Sequence, residues 1–131
     1  MMAGSYLQRL GLGLAASAAI GVLVTVGCNL AISYAHGWSK LQLWDEFSVS
    51  DVLIISAPFA LLSLFAISSL SAWTAGIGVT IAFWAFMYLP SAMQTGGGAN
   101  IGFGILLPFS PIFVFVVAVL GLLPEASRDD R

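Results

Sequence analysis

The sequence predicts an all-α integral membrane protein, a four-helix bundle with both termini on one side, and three observations predict it. Residues 10–39 and 52–124 contain no Lys, Arg, Asp or Glu. The first run exceeds the roughly 20 apolar residues that cross a bilayer once, and the second exceeds them several times over. The composition, 60% hydrophobic and 8% charged, is far from the roughly 25% charge of a soluble domain. Polar and proline punctuation then divides the two runs into spans at about 10–34, 52–69, 72–89 and 101–123. In a chain of 131 residues the segments outside lipid are too short to hold a core of their own, so 1–131 reads as a single transmembrane domain.

Helix one is expected from Leu10 to Tyr34, with His36, Gly37 and Trp38 marking its exit into the headgroup layer, where aromatic rings favour a half-wet position. Arg9 before a small-residue apolar stretch with Gly27-Cys28 has some look of a signal or lipoprotein leader. The apolar stretch is longer than the roughly 7–15 residues of a signal h-region, so a retained helix is the expectation. In the loop that follows, Trp38, Leu41, Trp44 and Phe47 recur every three residues between charges, which predicts a short helical turn on the membrane surface. Ser48-Val49-Ser50-Asp51 reads as a capping box, so helix two should begin there and carry Pro58 as a bend. Ser68 to Ser71 reads as a tight turn, with Ser69 or Ser71 capping helix three. Pro90 should stop helix three, and helix four should run from Asn100 or Ile101 to Leu123, kinked by Pro108 and Pro111. The basic residues Arg9, Arg128 and Arg131 oppose a lone Lys40, which places both termini in the cytoplasm by a thin margin.

Small and polar residues form the most ordered pattern. In helix one Gly13, Ser17, Gly21, Thr25, Asn29 and Ser33 recur at every fourth position, a spacing that lets backbones approach closely in lipid, or that lines a polar path. Leu12, Ile20, Leu23 and Leu30 should then face lipid. Helix three carries a second seam, Ser71, Ala75, Gly78, Ala82 and Ala85, at heptad spacing; helix two offers Ser56, Ala60 and Ser63. The loop Gly96, Gly97, Gly98, Asn100 could receive a ligand or lipid headgroup on its free amides. The proline carbonyls of helix four, with Asn29 or Thr25 reaching across, predict a pocket between helices one and four roofed by that loop.

The sequence also narrows the function. No basic patch points to nucleic acid, the spans hold none of the ionisable groups that mark coupled transport, and Cys28 with the distant His36 makes no nucleophile and base pair. His36 with Asp45, Glu46 and Asp51 lacks a ligand spacing, so no metal site and no cofactor are expected. In size the chain resembles the four-helix multidrug exporters and fluoride channels. Helix one lacks the acidic residue those exporters carry, so no residue role transfers. The expectation is a multi-pass cell-membrane protein that is not an enzyme. It would act as an accessory or assembly protein through helix contacts with itself, as a homo-oligomer, or with a larger membrane partner. The alternative is a small oligomeric channel or uncoupled facilitator for a small solute or anion.

Overall fold

The computed structural model describes residues 2–39, 41–93, 105–124 and 127. They form four α-helices, α1 Met2–Ala35, α2 Ser48–Leu64, α3 Leu70–Met93 and α4 Ser110–Leu120, the last preceded by a 3-10 turn Leu107–Phe109. No strand occurs among the described residues. Two of the helices, Gly4–Ala35 and Leu70–Met87 by their apolar stretches, are long and apolar enough to cross a membrane.

α1 has 34 residues, about 51 Å at ~1.5 Å per residue, and begins well before Leu10. Hydropathy marks where lipid could begin, whereas the helix extends further because Tyr6 Oη donates to the Leu64 carbonyl (3.0 Å) and ties the first turns to the end of α2. The other end closes as read. Gly37 adopts φ +69, its N–H donates to Tyr34 O (3.0 Å), and Trp38 N–H donates to Ser33 O (2.9 Å). That pair of bonds is a Schellman closure, which satisfies carbonyls the helix leaves open.

The surface turn of helix expected over residues 38–47 is not formed; residues 41–45 are irregular and a turn follows. The backbone of this segment is bonded to side chains instead. Asn29 Nδ2 donates to Leu43 O (2.9 Å), Gln42 N–H to Ser33 Oγ (3.3 Å) and Asp45 N–H to Ser48 Oγ (2.9 Å). With those three groups taken, a helical turn here would forfeit the i to i−4 bonds that need them.

α2 starts at Ser48, earlier than Val52, and the expected capping box is absent. Phe47 is the N-cap residue and makes no side-chain cap bond. Ser48 Oγ donates to Asp45 Oδ1 (2.8 Å), so the turn ahead of the helix is held by Asp45. Asp51 thereby lies inside the first helical turn, and it is buried. The helix continues through Pro58 but ends at Leu64, short of Ser69. Ala66 N–H donates to Ser63 O (3.1 Å) and Ile67 N–H to Leu62 O (2.8 Å), the same Schellman pattern as in α1 with Ala66 at φ 56 where glycine is usual.

Ser69 caps α3 as read, its Oγ accepting from Ala72 N–H (3.4 Å). α3 runs on to Met93, so Pro90 does not stop it; proline removes one amide bond, and a helix supported by neighbours can pass through. α4 does change character at its prolines. Pro108 stands at the start of the 3-10 turn and Pro111 in the first turn of α4, where its missing N–H was unpaired anyway. Ser110 Oγ donates to Leu107 O (2.8 Å), which also accepts from the Ser110 N–H, so the carbonyl does not miss the donor that Pro111 lacks.

The helices alternate in direction. Asn29 meets Ser48 (3.2 Å) and Tyr6 meets Leu64 at the two ends of the α1–α2 pair, and Ser71 Oγ at the start of α3 donates to Gly121 O at the end of α4 (2.7 Å). Phe59, Leu62, Val114 and Ala118 form the core, with Trp73 against Phe59 at a ring separation of 5.6 Å. Gly76 lets α3 reach this core. A Cβ there would stand 3.1 Å from Phe59 Cε1 and 3.3 Å from Ala118 Cβ.

Candidate functional site

The polar stripe of α1 is the natural place to look for function, and the structure gives it a partner within the chain. Ser17, Gly21, Thr25, Asn29 and Ser33 are buried and Gly13 is half-buried. α2 covers them. A Cβ on Gly21 would lie 2.8 Å from Val52 O and 3.3 Å from Ser56 Cβ, and one on Gly13 would lie 2.8 Å from Ser63 Cβ. Thus Ser56 and Ser63 of α2 line up on the glycines of α1, and the close approach that small residues permit is used between consecutive helices. Leu12, Leu23 and Leu30 are exposed as expected. Ile20 is not; it packs on the core.

The hydroxyls along the stripe are mostly satisfied inside α1. Ser17 Oγ donates to Gly13 O (2.7 Å) and Ser33 Oγ to Asn29 O (2.9 Å), the back-bonding open to serine in helices. Thr25 is different: it is 2% exposed, and its Oγ1 has no hydrogen-bond partner among the described residues.

Where the stripe ends, a polar cavity of about 250 Å³ opens among Asn29, Ser33, His36, Ser39, Gln42 and Asp45. Its groups are largely engaged with one another. His36 Nδ1 lies 2.8 Å from Ile32 O, Ser39 Oγ donates to His36 O (3.1 Å), and Asp45 Oδ1 accepts from Phe47 N–H (3.0 Å) and from Ser48 Oγ. Asn29 donates to Leu43 O and Ser48 Oγ. The cavity therefore pins the first loop to the helix ends, and among the described residues no three His, Cys, Asp or Glu side chains gather to hold a metal ion.

Asn29 turned towards α2 and its loop overturns the expected pocket between helices one and four. The amide finds its partners where the chain returns at Ser48, the nearest backbone in sequence, and Ser110 serves the helix-four carbonyl alone. Gly96, Gly97, Gly98 and Asn100 lie outside the described residues.

The seam read on α3 splits in two. Ser71 and Ala75 pack on α4 at Gly121, whose Cβ would stand 3.2 Å from Ala75 Cβ, while Gly78, Ala82 and Ala85 are exposed and nothing lies within 4 Å of a Cβ on Gly78. The face α3 buries is one step round, at Ala72, Gly76, Thr80 and Trp84. Its signal was present as another four-residue repeat, but a small residue stands beside nearly every member, and spacing alone does not choose between the two faces.

A second, larger cavity was not legible in the sequence at all. It measures about 770 Å³ and lies between the first half of α1, the α2–α3 link and the first half of α3, with Arg9, Tyr6, Ile20, Trp73 and Ile77 among its walls. No family model matches the chain, and neither a curated protein nor a solved structure is significantly similar to it.

Proposed function

We propose that the chain is a multi-pass protein of the cell membrane, its four helices spanning with both termini in the cytoplasm. In this reading it works as an accessory or assembly protein through helix contacts with itself or a larger membrane partner. The open face of α3 carries this reading. Gly78, Ala82 and Ala85 present an exposed small-residue strip, with nothing among the described residues within 4 Å of a Cβ on Gly78, flanked by Ile81 at 54% and Phe86 at 75% exposure, the kind of surface on which helices associate in lipid.

The exterior supports membrane residence. The apolar windows of α1 and α3 are only 17% and 28% buried, whereas the core helix of a soluble protein would be mostly covered, and apolar surface exposed on this scale suits contact with lipid or a protein partner. Arg9 and the α2–α3 link lie at one end and the polar first loop at the other, which fits a cytoplasmic and an outer end by the basic-residue bias. The rival, a channel using the stripe of α1, is weakened because α2 fills that stripe at Gly13 and Gly21.

Solubilisation in mild detergent followed by mass measurement tests the assembly reading. An oligomer or a co-purifying membrane protein is expected, and a strictly monomeric, partnerless chain contradicts it.

A further inference from the structure

We infer that the cavity between α1 and α3 is a binding groove for an anionic phospholipid, its phosphate held by Arg9 and one acyl chain lying along α1 towards Ile20. The inference rests on the reading that these helices cross a bilayer. Tyr6, Arg9, Gly13, Ala16 and Ile20 line one wall at alternating three- and four-residue spacing, the period of one helix face. Trp73, Thr74 and Ile77 of α3 form the other. At about 770 Å³ the groove is in the ~300–1,000 Å³ range of ligand sites.

Two features select the occupant. Among the described residues Arg9 is the sole charged side chain in the lining and no carboxylate pairs with it, so its guanidinium can present its fork of donors to a phosphate. From Arg9 to Ile20 the helix rises about 16 Å, close to half of the roughly 30 Å hydrocarbon core. The groove is thus charged at the depth of one headgroup layer and apolar for the depth of one leaflet. Trp73 does not spend its indole N–H on the cavity, since Nε1 donates to Ile67 O (2.9 Å); its ring is left as apolar wall. The Tyr6 hydroxyl is likewise bound, to Leu64 O. A zwitterionic lipid would fit the apolar part but would set its own cation beside Arg9.

The full chain, reconstituted in an equimolar mixture of phosphatidylcholine and phosphatidylglycerol and then released into detergent, should retain phosphatidylglycerol preferentially when its bound lipid is read by native mass spectrometry. Arg9→Gln removes an exposed charge and should lower that preference about five-fold, the worth of one basic side chain at an anionic surface. Ala16→Phe should fill the apolar part and abolish retention of both lipids. Should Ala16→Phe fail to fold, Arg9→Gln decides by itself. Equal retention of the two lipids by the unaltered chain, a preference untouched by Arg9→Gln, or a lipid-free dimer with the groove occupied by a second copy overturns the inference. Extraction of the chain from membranes by alkaline carbonate would instead defeat the membrane reading beneath it. An integral chain that retains lipid without regard to charge defeats only the lipid site.

Discussion

Gly21 faces Val52 so closely that a Cβ on the glycine would stand 2.8 Å from the Val52 carbonyl oxygen and 3.1 Å from its Cγ1. Backbone, not a movable side chain, is the obstacle. Gly21→Leu must force α1 and α2 apart, at about 1–3 kcal/mol for overpacking, and also opens the packing that buries the hydroxyl of Thr25. Leu23→Ala, at a position 72% exposed, should change stability little. Unfolding in a detergent titration distinguishes the two, and equal effects would show that the stripe is not an interface.

Thr25 separates packing from a polar path. Its buried hydroxyl has no partner among the described residues, and an unsatisfied polar group of this kind costs roughly 1–3 kcal/mol. Thr25→Val keeps the shape and removes the group, so the same titration should show stability unchanged or raised by up to about that amount. A clear loss of stability would mean that the hydroxyl holds water or a solute along α1.

Ala66 closes α2 in the left-handed region, φ 56, where an L side chain costs roughly 1–2 kcal/mol that glycine avoids. Ala66→Gly should therefore stabilise the protein by about 1 kcal/mol once glycine's extra backbone entropy is set against it. Thermal unfolding of the purified chain reads this. A destabilised variant would show that the link does not close α2 in this way.

The same residue shows where sequence reading stops. The stripe from Gly13 to Ser33 was legible because its four-residue period is unbroken over six members. The exit at Gly37 was legible because glycine marks it. Ala66 makes the same closure without glycine, so α2 seemed to run on to Ser69. The turn at residues 38–47 had a helical period in its aromatics, yet Asn29, Ser33 and Ser48 claim its backbone groups, a competition between elements that no local pattern records. Asn29 was expected to reach towards helix four, and it meets the start of α2 instead, because which helix it faces depends on where the chain returns. The groove at Arg9 needs α1 and α3 side by side, and only the fold supplies that.

The central claim is that α1 spends its small residues on α2 while α3 turns Gly78, Ala82 and Ala85 outwards, and photo-crosslinking in native membranes tests it most directly. A photoreactive side chain at Ala82 should give adducts heavier than one chain, to a second copy or to a membrane partner, whereas one at the exposed Leu23 should give lipid adducts only. Protein adducts from Leu23 with lipid alone from Ala82 would contradict the account.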